Sequence, residues 1–81
     1  TVNAICPGLI VTDILKENGP KTAEAMGMTL DEMIDYFTSE SAIKRPNKVE
    51  EVAAVALLLA SEAGAGITGT QLSVDGGTAQ Y

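Results

Sequence analysis

Apolar positions along the chain change period several times, and each change marks an element. Residues 1–6, Thr-Val-Asn-Ala-Ile-Cys, are β-prone and are stopped by Pro7-Gly8, which predicts a strand followed by a turn. Thr12 is placed to cap a short helix over 13–17 closed by Asn18-Gly19-Pro20, and a second short helix over 21–26 has Gly27 as its stop. Leu30, Met33, Ile34 and Phe37 recur at helical spacing behind Thr29-x-x-Glu32, which has the form of a capping box, so a helix over 30–38 follows. The longest helix is predicted over 49–63, with Glu50 and Glu51 near its positive end and Gly64 and Gly66 beyond it. Residues 70–74 alternate polar and apolar and end at Asp75-Gly76-Gly77, a second strand. A crossover holding this much helix suits two parallel neighbouring strands, with the long helix packed across them in the right-handed sense. The fold class is α/β, in one unit without repeat or second domain.

Helix 49–63 carries more apolar surface than one contact needs. At about 100° per residue Glu50, Glu51, Ala54, Leu58, Ser61 and Glu62 share an arc of roughly 120°, and the remainder is almost wholly apolar. The surplus predicts packing on two sides.

Composition narrows the function classes. The chain has 81 residues, and a domain of that size buries little core. A net charge of -6 with five basic residues argues against a surface that tracks nucleic-acid phosphates. No apolar run approaches the roughly 20 residues of a membrane-spanning helix. The single cysteine, Cys6, has no partner for a disulfide or metal site, which fits a reducing, cytoplasmic setting, and it reads as a small buried hydrophobe. Without histidine, neither Ser-His-Asp chemistry nor a His-ligated metal is available within these residues. No export leader is present, and Thr1 falls directly inside the first strand, which reads as a cut end.

Pro7-Gly8-Leu9-Ile10-Val11-Thr12 follows the carboxyl end of the first strand, where open parallel sheets bind their ligands. Taken alone, Pro-Gly after a strand is only a turn. Three separated segments in register say more: Asn3-Ala4-Ile5-Cys6-Pro7-Gly8-Leu9-Ile10-Val11-Thr12, then Glu50-Glu51-Val52-Ala53, then Ile67-Thr68-Gly69-Thr70-Gln71-Leu72-Ser73-Val74-Asp75-Gly76-Gly77. Together they resemble the last third of short-chain dehydrogenases/reductases. With the closing 75–80 stretch the chain resembles the 3-hydroxybutyrate dehydrogenases of that family, from which its tail departs in lacking an aromatic residue after the glycines.

The resemblance implies that the chain is the carboxy-terminal part of a Rossmann-like doubly wound parallel sheet, with residues 1–6 and 70–74 as its sixth and seventh strands. It further implies an NAD(P)-dependent oxidoreductase interconverting a small alcohol and a ketone, with NAD or NADP as cofactor. Pro7 and Gly8 then shape a wall against the nicotinamide, Ile10 offers its backbone to the carboxamide, and Thr12 offers its hydroxyl, which can cap a helix as well. Residues 13–45 correspond to the substrate lid, where Met26, Met28, Met33 and Phe37 could line a pocket or, for Met33 and Phe37, simply bury a helix face. Helix 49–63 and strand 70–74 resemble elements that pair subunits, so a homodimer or homotetramer is expected.

The family's catalytic Ser, Tyr and Lys are not among these residues. Tyr36 is followed four positions later by Glu40, whose like charge would raise a Tyr pKa, and it is assigned to helix packing; Tyr81 is the other tyrosine. The segment alone is therefore expected to be inactive. A rival class is a non-catalytic association module with the same fold. Gly64-Ala65-Gly66-Ile67-Thr68-Gly69 has the spacing of a dinucleotide fingerprint but runs from helix to strand, the reverse of the order that places a pyrophosphate on a helix amino end. Asp75 is read as a bond to turn amides beside Gly76-Gly77.

Overall fold

In the computed structural model, which describes residues 1–79, β1 (Ala4–Pro7) and β2 (Gln71–Val74) form a two-stranded parallel sheet. The register is Ala4 opposite Gln71 through Pro7 opposite Val74. Asn3 fixes it from one end. Its side-chain oxygen accepts from the Thr70 amide at 3.1 Å and the Thr70 hydroxyl at 2.6 Å, while its amide group donates to the Ile67 carbonyl at 3.0 Å. The strand 1–6 predicted from sequence thus starts later and runs through Pro7. Ala4 and Gly8 donate to the Thr70 and Val74 carbonyls, at 2.9 and 3.1 Å. Alternate residues of a parallel strand point their N–H to the same neighbour, so the nitrogen of Pro7 faces away from β2 and its missing proton costs this ladder nothing. The second strand begins at Gln71 rather than Thr70, whose carbonyl nonetheless serves the ladder.

The two short helices predicted over 13–17 and 21–26 are one, α1 (Asp13–Ala25), passing through Gly19 and Pro20. Gly19 is not a stop but a contact: a β-carbon there would lie 2.7 Å from Leu30 Cδ1 and 3.3 Å from Leu15 Cδ1. Pro20 removes the amide that would bond the Lys16 carbonyl, yet both residues are exposed and water can serve that carbonyl. The helix closes as the sequence indicates, with Gly27 at φ 75°. The Met28 amide reaches the Ala23 carbonyl at 3.0 Å and the Gly27 amide the Glu24 carbonyl at 2.9 Å, a Schellman motif.

Helix α2 (Leu30–Thr38) has its predicted bounds and capping box, the Glu32 amide donating to the Thr29 hydroxyl and the Thr29 amide to Glu32, both at 3.2 Å. It packs on α1, with Ala23 1% and Met33 3% exposed between them. Tyr36, assigned from sequence to helix packing, is 61% exposed and only meets Phe37 edge-on, ring centroids 5.4 Å apart. It occupies the outer face of α2, where Leu30 and Met33 have already taken the contact with α1.

Helix α3 (Val49–Ala60) packs on β1, and Val52, Val55 and Leu59 along it are half-buried. Glu51 anchors its start. One carboxylate oxygen accepts from the Lys48 amide at 2.7 Å, and Arg45 grips both oxygens, at 2.8 and 3.1 Å. These bonds hold the Glu51 carboxyl down at about 2, the Arg45 hydrogen bond first and the Lys48 amide second. The helix ends three residues before the predicted 63, because the Ser61 backbone turns extended and its hydroxyl returns to the Leu58 carbonyl at 2.8 Å. A single 3-10 turn, Glu62–Gly64, follows. Gly64 is buried where a β-carbon would collide with the Leu58 carbonyl, whereas Gly66 has nothing within 4 Å. Only the first is a structural requirement.

Away from β1, Val49, Leu57 and Leu58 are 50%, 71% and 42% exposed. The radius of gyration is 15.0 Å, against about 12 Å for a compact chain of this length. Apolar faces are therefore left open. No helix among the described residues is long and apolar enough to cross a membrane.

Two outcomes follow for the full-length protein. Gly64→Ala should cost about 1–3 kcal/mol by chemical denaturation and Gly66→Ala less than about 0.5 kcal/mol; equal effects would contradict the close approach to α3. A lowered carboxylate pKa stabilises the fold at pH values above the ordinary range, near 4.5, and that contribution is lost as pH falls through about 2. Carbon-13 NMR of the Glu51 carboxyl should accordingly titrate near 2, moving upward in Arg45→Ala; a midpoint near 4.5 in the unmutated protein would contradict the pairing.

Candidate functional site

Beyond β1 the chain bends across the carboxyl edge of the sheet. Gly8 passes so close to β2 that a β-carbon would sit 2.8 Å from Asp75 Cα, so its lack of a side chain is demanded by the fold itself. Residues 9–11 then run beside the segment leading into α3. The Leu9 carbonyl accepts from the Asn47 amide at 2.9 Å, and Ile10 forms an isolated parallel bridge with Asn47. In such a bridge the flanking peptide groups pair, which turns the amide and carbonyl of Ile10 itself the opposite way. Among the described residues neither group makes a hydrogen bond. Thr12 ends the loop as the N-cap of α1, its hydroxyl accepting from the Leu15 amide at 3.3 Å. That bond uses a lone pair and leaves the hydroxyl proton free to donate.

The second strand ends in a matching turn. Asp75 accepts from the Gly77 amide at 3.0 Å and the Ala79 amide at 2.9 Å, which agrees with its reading as a turn residue. Those amides, Ala79 foremost, hold its carboxyl below the usual range. The Gly76 carbonyl accepts from Ile43 at 3.1 Å, and β-carbons on Gly76 or Gly77 would strike Ile43 or Ala42, so the end of the helical excursion is fastened over this turn.

Two clefts meet at Thr12. One, of about 660 Å³, lies between the start of α1 and the start of α3 and is edged by Asp13, Lys16, Arg45, Lys48 and Glu50. The other, of about 340 Å³, lies between the loop and helices α1 and α2, with Leu9, Ile14, Leu15, Met33 and Phe37 as its apolar wall. Of the methionines considered from sequence, Met33 lines this cleft while Met26 and Met28 do not. Of the four residues expected from sequence to form the site, Thr12 borders both clefts, whereas Pro7, Gly8 and Ile10 line neither. Sequence reading missed Asn47, 7% exposed, whose amide sets the loop, and the Arg45–Glu51 pair. The six-residue spacing of a cation before a helix and a carboxylate in its first turn was a usable signal for the second; nothing local marked the first.

The Gly64-Ala65-Gly66-Ile67-Thr68-Gly69 segment joins α3 to β2, helix first, as its exclusion from nucleotide binding requires. Gln80 and Tyr81 lie outside the described residues. No group of three metal-ligating side chains occurs among the described residues.

Comparison with known proteins places this geometry. The family model described as Enoyl-(Acyl carrier protein) reductase matches residues 1–79. A D-beta-hydroxybutyrate dehydrogenase of Rhizobium meliloti (strain 1021) is 42% identical over 82 aligned residues, covering 99% of this chain and 32% of that protein. A short chain dehydrogenase family protein from Francisella tularensis superposes with a TM-score of 0.85 at 30% identity, covering 95% of this chain and 32% of its own. L-sorbose reductase from Gluconobacter frateurii, solved with NADPH and L-sorbose, gives a TM-score of 0.83 at 30% identity, over 99% of this chain and 31% of its own. The chain thus spans about a third of the length of the relatives it matches. With the whole described segment matched in sequence and in its α/β fold, the chain belongs to the short-chain dehydrogenase/reductase family.

Proposed function

We propose that this chain forms one wall of a nicotinamide site and the substrate lid of an NAD(P)-dependent oxidoreductase that interconverts an alcohol and a ketone. The observation that carries the reading is the unpaired peptide of Ile10 beside the Thr12 hydroxyl, at the carboxyl edge of two parallel strands. A carboxamide offers one acceptor oxygen and two donor protons. The Ile10 amide and the Thr12 proton can supply its oxygen, and the Ile10 carbonyl can accept from its nitrogen. A bound NAD or NADP supplies the hydride acceptor or donor. The residues here hold its reactive ring in place: Pro7 and Gly8 give a flat approach, and the fastening of residues 42–43 over Gly76 and Gly77 keeps the edge rigid. Relatives whose names specify NADPH, among them the L-sorbose reductase, support the cofactor class.

Helices α1 and α2 close over the edge as a lid within residues 13–45. The exposed apolar positions of α3, with Leu57 71% and Leu58 42% exposed, fit a role in subunit assembly together with β2. A homodimer or homotetramer in the cytoplasm is the corresponding state of the full-length protein.

Thr12→Val should raise the nicotinamide dissociation constant about two- to tenfold by removing one hydrogen bond of about 0.5–1.5 kcal/mol, and cost about 1 kcal/mol of stability as a lost cap. Thr29→Val, which breaks the cap of α2 alone, separates the two effects: it should lower stability and leave cofactor affinity unchanged. Equal cofactor affinity in Thr12→Val and the unmutated protein would remove the Thr12 assignment. Assembly is checked by light scattering, where Ala54→Glu and Leu58→Glu should dissociate the oligomer; a monomeric parent, or an oligomer indifferent to both charges, would exclude α3 from the interface.

A further inference from the structure

We infer that Arg45 is a positioning residue for the nicotinamide: held in one orientation by Glu51, it sets the plane of the Pro46–Asn47 peptide and, through it, the Leu9–Ile10 backbone that receives the carboxamide. The inference rests on the oxidoreductase reading and deepens it, because it traces the geometry of that site to a side chain outside the loop.

The Pro46 carbonyl and the Asn47 amide belong to one planar peptide unit. Both ends of that unit are held. Arg45 Nη1 donates to the Pro46 carbonyl at 3.0 Å, and the Asn47 amide donates to the Leu9 carbonyl at 2.9 Å. A planar peptide cannot turn its oxygen without turning its N–H, so the bond from Arg45 settles the direction in which Asn47 reaches Leu9. The charged donor also draws electron density toward the Pro46 oxygen, which strengthens the N–H as a donor. Ile10 lies in a parallel bridge with Asn47, and its own peptide groups are turned the other way. Arg45 is thus linked to the Ile10 peptide through one peptide plane and the bonds at its two ends.

Glu51 keeps the guanidinium in place. The Nη1 that serves Pro46 also donates to Glu51 Oε1 at 2.8 Å, and Nη2 donates to Oε2 at 3.1 Å. Two parallel bonds fix the plane of a guanidinium where one leaves it free to swing. The same Oε1 accepts from the Lys48 amide at 2.7 Å, so the carboxylate is itself seated at the start of α3. Backbone groups of Pro46, Asn47 and Lys48 are held in succession. Arg45 and Asn47 line the larger cleft together with Val11 and Thr12, so this bracket stands along the same opening as the Thr12 hydroxyl. A partly exposed ion pair adds little stability; what this one supplies is orientation.

ADP-ribose is the cofactor without its nicotinamide, and it separates a displaced ring site from a loosened fold. In purified full-length protein, Arg45→Ala is expected to raise the dissociation constant of NADH or NADPH, whichever the parent binds, about three- to tenfold, and to leave that of ADP-ribose or its phosphorylated form within about twofold. Glu51→Ala should do the same, and the double variant should bind no more weakly than either single one, because the two side chains act as one device. Arg45→Lys keeps the charge and loses the planar fork; it serves if Arg45→Ala fails to fold, and should show the same selective loss of about threefold. Equal weakening of the reduced cofactor and of ADP-ribose, or weakening of neither, overturns the inference, as does a double variant whose loss is the product of the two single losses. A selective loss in Thr12→Val with none in the Arg45 variants removes this inference alone, whereas a parent that binds neither NADH nor NADPH removes the oxidoreductase reading beneath it.

Discussion

Everything in this chain hangs on one pairing between strands that lie far apart in sequence. Parallel strands cannot be joined by a tight turn, so β1 and β2 are brought together only after a long helical crossover. A four-residue ladder is a weak specification of register, and a slip of one position would exchange the two faces of a strand. Asn3 supplies the missing specification by using both ends of its amide against residues 67 and 70. The carboxyl edge inherits that register, and with it the placement of Gly8 against Asp75.

Close approach then fixes the carboxyl edge of the sheet. Three crowded glycines, Gly8, Gly76 and Gly77, let the loop after β1, the turn after β2 and the segment around Ala42 and Ile43 converge. Only within that convergence does the Asn47 amide meet the Leu9 carbonyl, turning the peptide of Ile10 outward. An unpaired peptide of this kind is costly if buried and useful if a ligand completes it. The site is thus a consequence of packing at small residues as much as of polar groups. The clefts on either side of Thr12 divide by charge for a similarly local reason: one lies between two helix starts rich in ions, the other between apolar helix faces.

Local chemistry was what the sequence made legible. The Thr12 cap, the Thr29/Glu32 box, the Gly27 stop and the Asp75 turn each depend on atoms a few residues apart, and each stands where the spacing placed it. The errors share a different origin. Gly19-Pro20 reads as a helix end until Leu30 is packed against Gly19, and Pro7 reads as a strand stop until β2 is known to lie on the side away from its nitrogen. Gly64 and Gly66 are alike in sequence, and only the return of the chain over the Leu58 carbonyl separates them. The candidate loop was found because three segments resembled a family in register, while Asn47 depended on a contact across 38 positions and left no local mark.

The central claim is that the outward peptide of Ile10 receives the nicotinamide. A crystal structure of the full-length protein with bound NAD or NADP tests it most directly. The account expects the carboxamide within hydrogen-bonding distance of the Ile10 amide and carbonyl, with the ring over Pro7 and Gly8. A nicotinamide placed elsewhere, with Ile10 bonded to protein or solvent, would contradict it.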